Sequence, residues 1–336
     1  MNCTPNNHQN AKNMISVRYF GFDLLRGIAA FGIVGCHLSL EPKTIGGDIV
    51  TSLCDFNVGL FAAVAGFLMC GVNDHVSWLA YVRKRFWRLL PIYFLWSLVY
   101  LCLIAIFDIL FDGGHLNPRY HTLGFWLSAV FWGRSASQLW FLPSLFYAQI
   151  LTAAFFHFGG KQRHGFLWFL FGGVLILCSA GLECWYGRYP LRLLAFLVTG
   201  YGIGIFVKPH VDVLKRYSLI IMGVAIVALG LHIWLRDSIK GFYKDWIAVG
   251  PVLLSFVALD FRSCQVKQVA LTLGATSMGV YLVHPLPARI LSLVVGKLVS
   301  PPYTAAVIAA DWVIVWGLTM LTVLLMRRIP LAKKFL

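Results

Sequence analysis

The chain is poor in charged residues, in acidic residues above all, and in the spacings that mark metal or disulfide sites. Only 12% of its 336 residues are charged, and 13 are Asp or Glu, whereas soluble domains average about 25% charged. The eight cysteines form no CxxC pair, so we predict neither a zinc site nor a disulfide framework, and no metal. Internal repeats, linkers and low-complexity segments are also lacking, which predicts a single domain.

Apolar sequence is what the chain has in abundance, with 59% hydrophobic residues and a mean hydropathy of +0.77. A membrane-spanning helix needs about 20 apolar residues, and we predict ten spans on that basis. They cover residues 20–40, 55–72, 90–111, 139–158, 165–183, 191–207, 217–235, 244–260, 270–295 and 304–326. The predicted fold is therefore an all-α polytopic membrane protein, a bundle of about ten transmembrane helices. Its membrane domain, 20–326, lies between tails at 1–19 and 327–336.

The basic residues predict how this bundle is oriented. A net charge of +15 is typical of nucleic-acid binders, but these residues lie in short loops, where orientation explains them, and we expect no nucleic-acid partner. Seventeen of the 28 Lys and Arg residues fall on the side of the N-terminus and nine on the other. This bias predicts that both termini are cytoplasmic. The polar residues 1–19 precede no cleavage site, so we expect the first span to be retained in the inner (cytoplasmic) membrane. Residues 122–132 are aromatic but too short to span, which predicts an interfacial or re-entrant helix.

The first span carries three ionisable side chains, Asp23, Arg26 and His37. Such groups are costly inside a membrane and by default indicate function. At roughly 100° per residue, Arg26 and His37 point within about 20° of each other, and Asp23 lies within about 60° of the same direction. The first two are about 16 Å apart along the axis, which suits a long ligand with a charged end at Arg26 and a reacting end at His37. Taken separately, snorkelling of Arg26 and an interhelical hydrogen bond from His37 stay open.

Three further stretches carry candidate side chains. VRKRFWRLLPIYF, at 82–94, places Arg85 and Arg88 on one helix face. These arginines serve either as topology signals or as a bidentate phosphate site. QLWFLPSLFY, at 138–147, contains Trp140, which is either an interface anchor or a substrate contact. SMGVYLVHP, at 277–285, contains Tyr281 and His284, either structural or in contact with substrate. In the second span, Gly59, Ala63 and Gly66 predict close helix packing.

Taken in order, these stretches resemble the membrane acyltransferases of acyltransferase family three, which include O-antigen and exopolysaccharide O-acetylases. The family's Arg, ten residues and His correspond to Arg26 and His37, and its D-x-L-R segment corresponds to 23–26. Its basic R-x-x-R-x-x-P-x-Y, LWFL and S-x-x-x-Y-L-x-H stretches match the three segments above. Two positions depart from the family pattern, with Ala65 where Ser is usual and Gln138 where His is common.

The resemblance implies ten spans, a cytosolic acyl-CoA donor, usually acetyl-CoA, and a hydroxyl acceptor on a glycan or glycolipid bound for the cell surface. We expect His37 to act as general base or as acyl carrier, with Asp23 orienting Arg26. Arg26, Arg85 and Arg88 are expected to bind the coenzyme phosphates. Tyr281 and His284 are expected to bind the acceptor or to polarise the carbonyl, and Trp140 is expected to contact substrate. A transporter or flippase of sugar-linked lipids is the alternative, since such proteins also carry intramembrane charges. A structural membrane subunit is a third.

Overall fold

Helices are the only regular structure in the part of the chain that the computed structural model describes, and no strand occurs there. The described residues are 18–38, 54, 56–70, 77–111, 122–136, 138–158, 165–181, 185–235, 243–261, 263–298 and 305–336. The α-helices in this part are α1 (Phe20–Cys36), α2 (Asn57–Met69), α3 (Trp78–Phe111), α4 (Leu123–Trp132), α5 (Phe141–Phe158), α6 (Gly165–Gly181), α7 (Trp185–Val207), α8 (Val211–Arg216), α9 (Ser218–Trp234), α10 (Tyr243–Ala258), α11 (Cys264–Val283), α12 (Pro285–Leu298), α13 (Ala305–Met326) and α14 (Pro330–Lys333).

Four described helical stretches are long and apolar enough, by length and composition, to cross a membrane. They are Trp78–Phe107, Pro190–Arg216, Cys264–Val283 and Ala306–Met326. Shorter apolar helices include α2 and α9. Each of the ten predicted spans contains a helix, but the number that crosses the bilayer stays a prediction. Large apolar side chains face outward, among them Leu219 at 85% and Trp234 at 73% exposure, and a lipid-facing surface presents such side chains.

The span predicted at 270–295 is not one helix. Helix α11 ends at Val283, His284 forms a turn, and α12 begins at Pro285. A proline has no N–H to donate, and its ring clashes with the carbonyl four residues earlier, here that of Tyr281. The helix is therefore interrupted, and the Tyr281 carbonyl loses its backbone donor. Hydropathy missed this break because the apolar run continues through it.

Close packing of α2 against α7 forms the centre of the bundle. A Cβ added at Gly66 would lie 1.9 Å from the carbonyl oxygen of Leu197, and one at Gly200 would lie 1.9 Å from that of Ala63. The two glycines thus let each backbone approach the other. Residues Leu193 to Val198 of α7 are all buried. The predicted close approach of the 57–69 helix is confirmed.

Gly66→Ala is expected to lower thermal stability, because its Cβ would collide with a backbone oxygen that cannot move without displacing α7. Overpacking of this kind costs about 1–3 kcal/mol. The measurement is the Tm of the purified protein in detergent. Gly230→Ala in α9 is the matched control, since no atom lies within 4 Å of its added Cβ. A Tm for Gly66→Ala equal to that of the control would contradict the packing argument.

The short helix predicted at 122–132 is present as α4, only 10 residues long. Its N-terminus is capped by the Thr122 hydroxyl, which accepts from the backbone N–H of Phe125 at 3.3 Å. It ends at Gly133, whose φ of 71° favours glycine. The hydroxyl of Tyr93 on α3 donates to the carbonyl of Ala129, which fixes α4 against the bundle. An interfacial position for α4 stays a prediction.

The end of the chain folds back onto the bundle. The indole of Trp96 on α3 donates to the carbonyl oxygen of Phe335 at 3.0 Å. A side-chain carbon of Leu336 lies 3.4 Å from the position of a Cβ on Gly279 of α11. Residues Phe335 and Leu336 therefore lie against α3 and α11.

Candidate functional site

Arg26 and His37 lie towards the two ends of α1 and on one side of it. Arg26 is in the second turn, and His37 follows the last helical residue as its C-cap. Between them on that side lie Ala30 and Ile33, which are 2% and 1% exposed. This side of α1 therefore faces the protein and not the surroundings.

A pair of histidines meets at the far end of this face. The ring centroids of His37 and His284 are 5.0 Å apart, with the planes inclined by 43°. The side chain of His284 is fully buried. The break before Pro285 brings a residue of the α11–α12 turn against the C-terminus of α1.

The backbone around His284 fixes which ring nitrogen carries the proton. Its Nδ1 lies 2.8 Å from the carbonyl oxygen of Tyr281 and 3.2 Å from that of Val280. Carbonyl oxygens only accept, so we assign the proton of the neutral ring to Nδ1. The Tyr281 carbonyl is available because Pro285 has no N–H. Nε2 then holds a lone pair, and it is buried without a hydrogen-bond partner among the described residues.

Tyr281 connects this pair to the start of α5. Its hydroxyl donates to the backbone carbonyl of Gln138, and its ring lies 5.2 Å from that of Phe141. The hydroxyl of Tyr100 on α3 donates to the carbonyl of Leu282 at 2.6 Å. These bonds hold the last turn of α11 between α3 and α5. Phe141 packs on Tyr281, and the predicted contact Trp140 lies one residue earlier, with its ring 6.3 Å from that of Phe141.

At the other end of the face the predicted arginines interact with one another electrostatically. Arg26 interacts electrostatically with Arg88 on α3 as well as with Arg18 and Asp23. Arg88 in turn interacts with Arg85, whose guanidinium carbon lies 4.9 Å over the Tyr81 ring. Like charges gathered in this way repel unless an anion neutralises them. The site is therefore suited to an anionic ligand such as a phosphate.

Asp23 makes its ion pair with a residue that sequence reasoning did not single out. Its Oδ2 accepts from Nε of Arg18 at 2.9 Å, and the aspartate is 8% exposed. Arg18 precedes the first helical residue, so helical periodicity could not place it beside Asp23. Orientation of Arg26 by Asp23 stays a prediction. Among the described residues, no three His, Cys, Asp or Glu side chains are grouped so as to hold a metal ion.

Comparison with known sequences decides the family. The sequence model of acyltransferase family 3, described as "Acyltransferase domain", matches residues 19–326. The chain belongs to acyltransferase family 3. No curated protein and no solved structure gives a match. As a family 3 acyltransferase the protein is an enzyme, and the family together with several apolar helices indicates a membrane protein.

This family 3 acyltransferase also contains a buried triad of ionisable side chains that sequence reasoning missed. Arg192 on α7 donates to the carboxylate of Asp245 on α10. The other carboxylate oxygen lies 3.7 Å from Nδ1 of His232 on α9. All three side chains are buried, at 6%, 1% and 0% exposure respectively. Arg192 is therefore not a loop charge that sets orientation, because it lies inside the bundle.

Proposed function

We propose that this acyltransferase moves an acetyl group, or another acyl group, from cytosolic acyl-CoA to a hydroxyl of a cell-surface glycan or its lipid-linked precursor. The observation that carries the proposal is the pairing at the two ends of α1. Arg26 interacts electrostatically with Arg88 at one end, and the ring of His37 lies 5.0 Å from that of His284 at the other. Acyl-CoA is anionic at its nucleotide end and reactive at its thioester end, so its two ends match the arginines at one end of α1 and the histidines at the other.

The proposed topology follows the charge bias of the loops. About ten helices cross the inner membrane with both termini in the cytoplasm, which puts the arginines at the cytosolic surface, where acyl-CoA is found. The histidine pair then lies deeper, towards the opposite leaflet. The acceptor approaches His37 from that side, with Tyr281 and Trp140 as its contacts.

The acceptor hydroxyl is the weak reactant in this transfer, because a thioester carbonyl is already electrophilic. In the proposed step the hydroxyl oxygen attacks that carbonyl while the imidazole of His37 takes the hydroxyl proton. The carbon–sulfur bond then breaks, and the thiolate leaves and receives the proton from His37. Atoms and charge balance with no further reactant.

His284 is suited to assist His37. With its proton held on Nδ1 by two carbonyls, its Nε2 can only accept. An imidazolium forming at His37 can donate to that lone pair, directly or through a water, and is thereby stabilised. His284 is then a positioning residue in the sense that a buried aspartate is in other histidine-dependent acyl transfers.

An acyl-histidine intermediate on His37 is the second route. Incubation of the purified enzyme with labelled acetyl-CoA and no acceptor separates the two. Label that stays on the His37 peptide after denaturation indicates the covalent route, and label found only in coenzyme and acetate indicates direct transfer.

Arg85→Ala combined with Arg88→Ala is expected to raise the donor KM by at least about tenfold, with kcat changed less. A charge-assisted hydrogen bond contributes about 1.5–3 kcal/mol, and 1.4 kcal/mol corresponds to a factor of ten. Initial rates against acetyl-CoA concentration, at saturating acceptor, give both constants.

The matched control is Arg83→Ala combined with Lys84→Ala. It removes the same charge from neighbouring positions of α3, and neither side chain is among the groups that interact electrostatically with Arg26 or Arg88. The proposal requires the first pair to raise KM well beyond the second. Equal effects would leave Arg85 and Arg88 as topology signals only.

Transfer itself is tested by mass spectrometry of surface glycans from cells with and without the chain. An acyl increment that disappears with the gene and fails to return with His37→Ala supports the proposal. A flippase of sugar-linked lipids would instead neither bind acetyl-CoA nor consume its thioester.

A further inference from the structure

A pocket of about 180 Å³ opens at the end of the bundle where α1 begins. The first residues of α1, the end of α10, α8 and the start of α11 form its wall. Three of its lining residues are basic, Arg18, Lys215 and Lys267, and one is acidic, Asp260. Phe20 and Phe256 supply apolar surface.

Among the residues that the structure describes, the charges of the pocket are incompletely neutralised. Arg18 is paired with Asp23, but neither Lys215 nor Lys267 makes an ion pair within the described ranges. The ammonium of Lys267 lies 5.6 Å from the centre of the Phe20 ring, in a cation–π arrangement. The pocket therefore presents an aromatic ring beside two lysines, which suits a ligand with a flat base and a phosphate.

The pocket is linked electrostatically, through Arg18, to the predicted arginines Arg26, Arg85 and Arg88. Arg18 lines the pocket and interacts electrostatically with Arg26, which interacts with Arg88. Its volume is below the roughly 300–1,000 Å³ of sites that enclose a whole drug-sized ligand. It is therefore the right size for one end of a longer molecule whose remainder lies on the arginines.

We propose that this pocket binds the 3′-phosphoadenosine end of the acyl-CoA donor, with Lys215, Lys267 and Arg18 on the 3′-phosphate. This inference rests on the proposed function and adds a subsite to it. A phosphate monoester carries a charge of about −1.5 to −2 at pH 7 and three acceptor oxygens, which the two lysines match. The adenine lies against Phe20, and Asp260 can accept from its exocyclic amine. The diphosphate of the coenzyme then falls on Arg26 and Arg88.

The test compares CoA with 3′-dephospho-CoA, which lacks only the phosphate in question. Binding to the full-length protein in phosphatidylcholine nanodiscs is measured by calorimetry. The wild type is expected to bind CoA more tightly on the order of tenfold, the loss expected for charge-assisted hydrogen bonds to one phosphate. Lys215→Ala combined with Lys267→Ala is expected to bring the ratio close to one while the Kd for 3′-dephospho-CoA stays at its wild-type value.

Arg216→Ala combined with Arg328→Ala is the matched control, because it removes two exposed cations that do not line the pocket. It should keep the wild-type ratio. Lys215→Ala combined with Lys267→Arg, which keeps one cation in the pocket, should restore part of the ratio that the double-alanine variant loses. A ratio unchanged by the lysine variants, or a wild type that does not distinguish the two ligands, would overturn the assignment.

An anionic lipid headgroup also carries a phosphate and could occupy the same pocket. A second experiment distinguishes lipid binding from coenzyme binding. The measurement is repeated with phosphatidylglycerol added to the nanodiscs. A lysine effect that appears only with this lipid, and equally for both ligands, would assign the pocket to lipid and overturn the proposal. Turnover is measured in parallel. CoA binding with the expected ratio but no transfer to any acceptor would contradict the proposed function and leave the pocket assignment standing.

Discussion

His37→Ala is expected to reduce acyl transfer by a factor of about 10²–10⁴, the usual contribution of a positioned general base. Donor binding should change little, because the proposed function places the coenzyme phosphates at the other end of α1, where Arg26 interacts electrostatically with Arg88. The expected signature is therefore a fall in kcat with a near-constant Kd for CoA. Single-turnover rates and calorimetry on the same preparation provide both numbers.

Substitution of His284 provides a second test, which shows whether the two histidines act together. Its Nδ1 proton is bound by backbone carbonyls and its Nε2 is a buried acceptor. His284→Ala should lower kcat as well, but by less than His37→Ala, because in the proposed mechanism it removes stabilisation of the imidazolium and not the proton acceptor. The double variant should be little slower than His37→Ala alone, since the two residues act as a unit.

His210→Ala is the control for this series, because that histidine is exposed and lies in the short 3₁₀ turn Lys208–His210. It should transfer at the wild-type rate. A His37→Ala protein that keeps the parental rate would remove His37 from the mechanism. A double variant whose losses multiply would show instead that the histidines act independently.

The shared face of Arg26 and His37 could be predicted because both lie on one helix. Eleven steps at the helical angle return almost to the starting direction, and burial of Ala30 and Ile33 between them agrees with this. Packing at Gly66 could be predicted for a similar reason, since a missing side chain permits close approach wherever the partner helix lies. Local periodicity and side-chain size were enough in both cases.

The sites that escaped prediction depend on pairings between distant segments. Asp245, Arg192 and His232 lie on three helices, and nothing within any one of them indicates the other two. The His37–His284 contact likewise depends on how α11 ends. Pro285 carried the necessary signal, but a hydropathy window averages over the lost N–H and gives one long span. Arg18 lies outside α1, where helical periodicity no longer applies.

Asp245→Ala is expected to cost about 3–5 kcal/mol of stability, the usual result of removing one partner from a buried ion pair. The carboxylate of Asp245 neutralises the guanidinium of Arg192 and lies 3.7 Å from Nδ1 of His232. It thus connects α7, α9 and α10 in a region where water cannot replace it. The measurement is unfolding of the purified protein in mixed micelles, followed by tryptophan fluorescence.

A double replacement distinguishes the stability that the ion pair contributes from the cost of leaving one buried charge without a partner. Arg192→Met combined with Asp245→Leu should recover most of the lost stability, because apolar side chains of similar size can replace a buried ion pair at little cost. Asp212→Ala, which removes an exposed acid from α8, should leave unfolding unchanged. If Asp245→Ala unfolds like the wild type but transfers no acyl group, the prediction that the triad stabilises the fold is wrong, and the triad acts in catalysis or acceptor binding. If the double replacement is less stable than either single one, the ion pair itself, and not the removal of an unpaired charge, stabilises the three-helix contact.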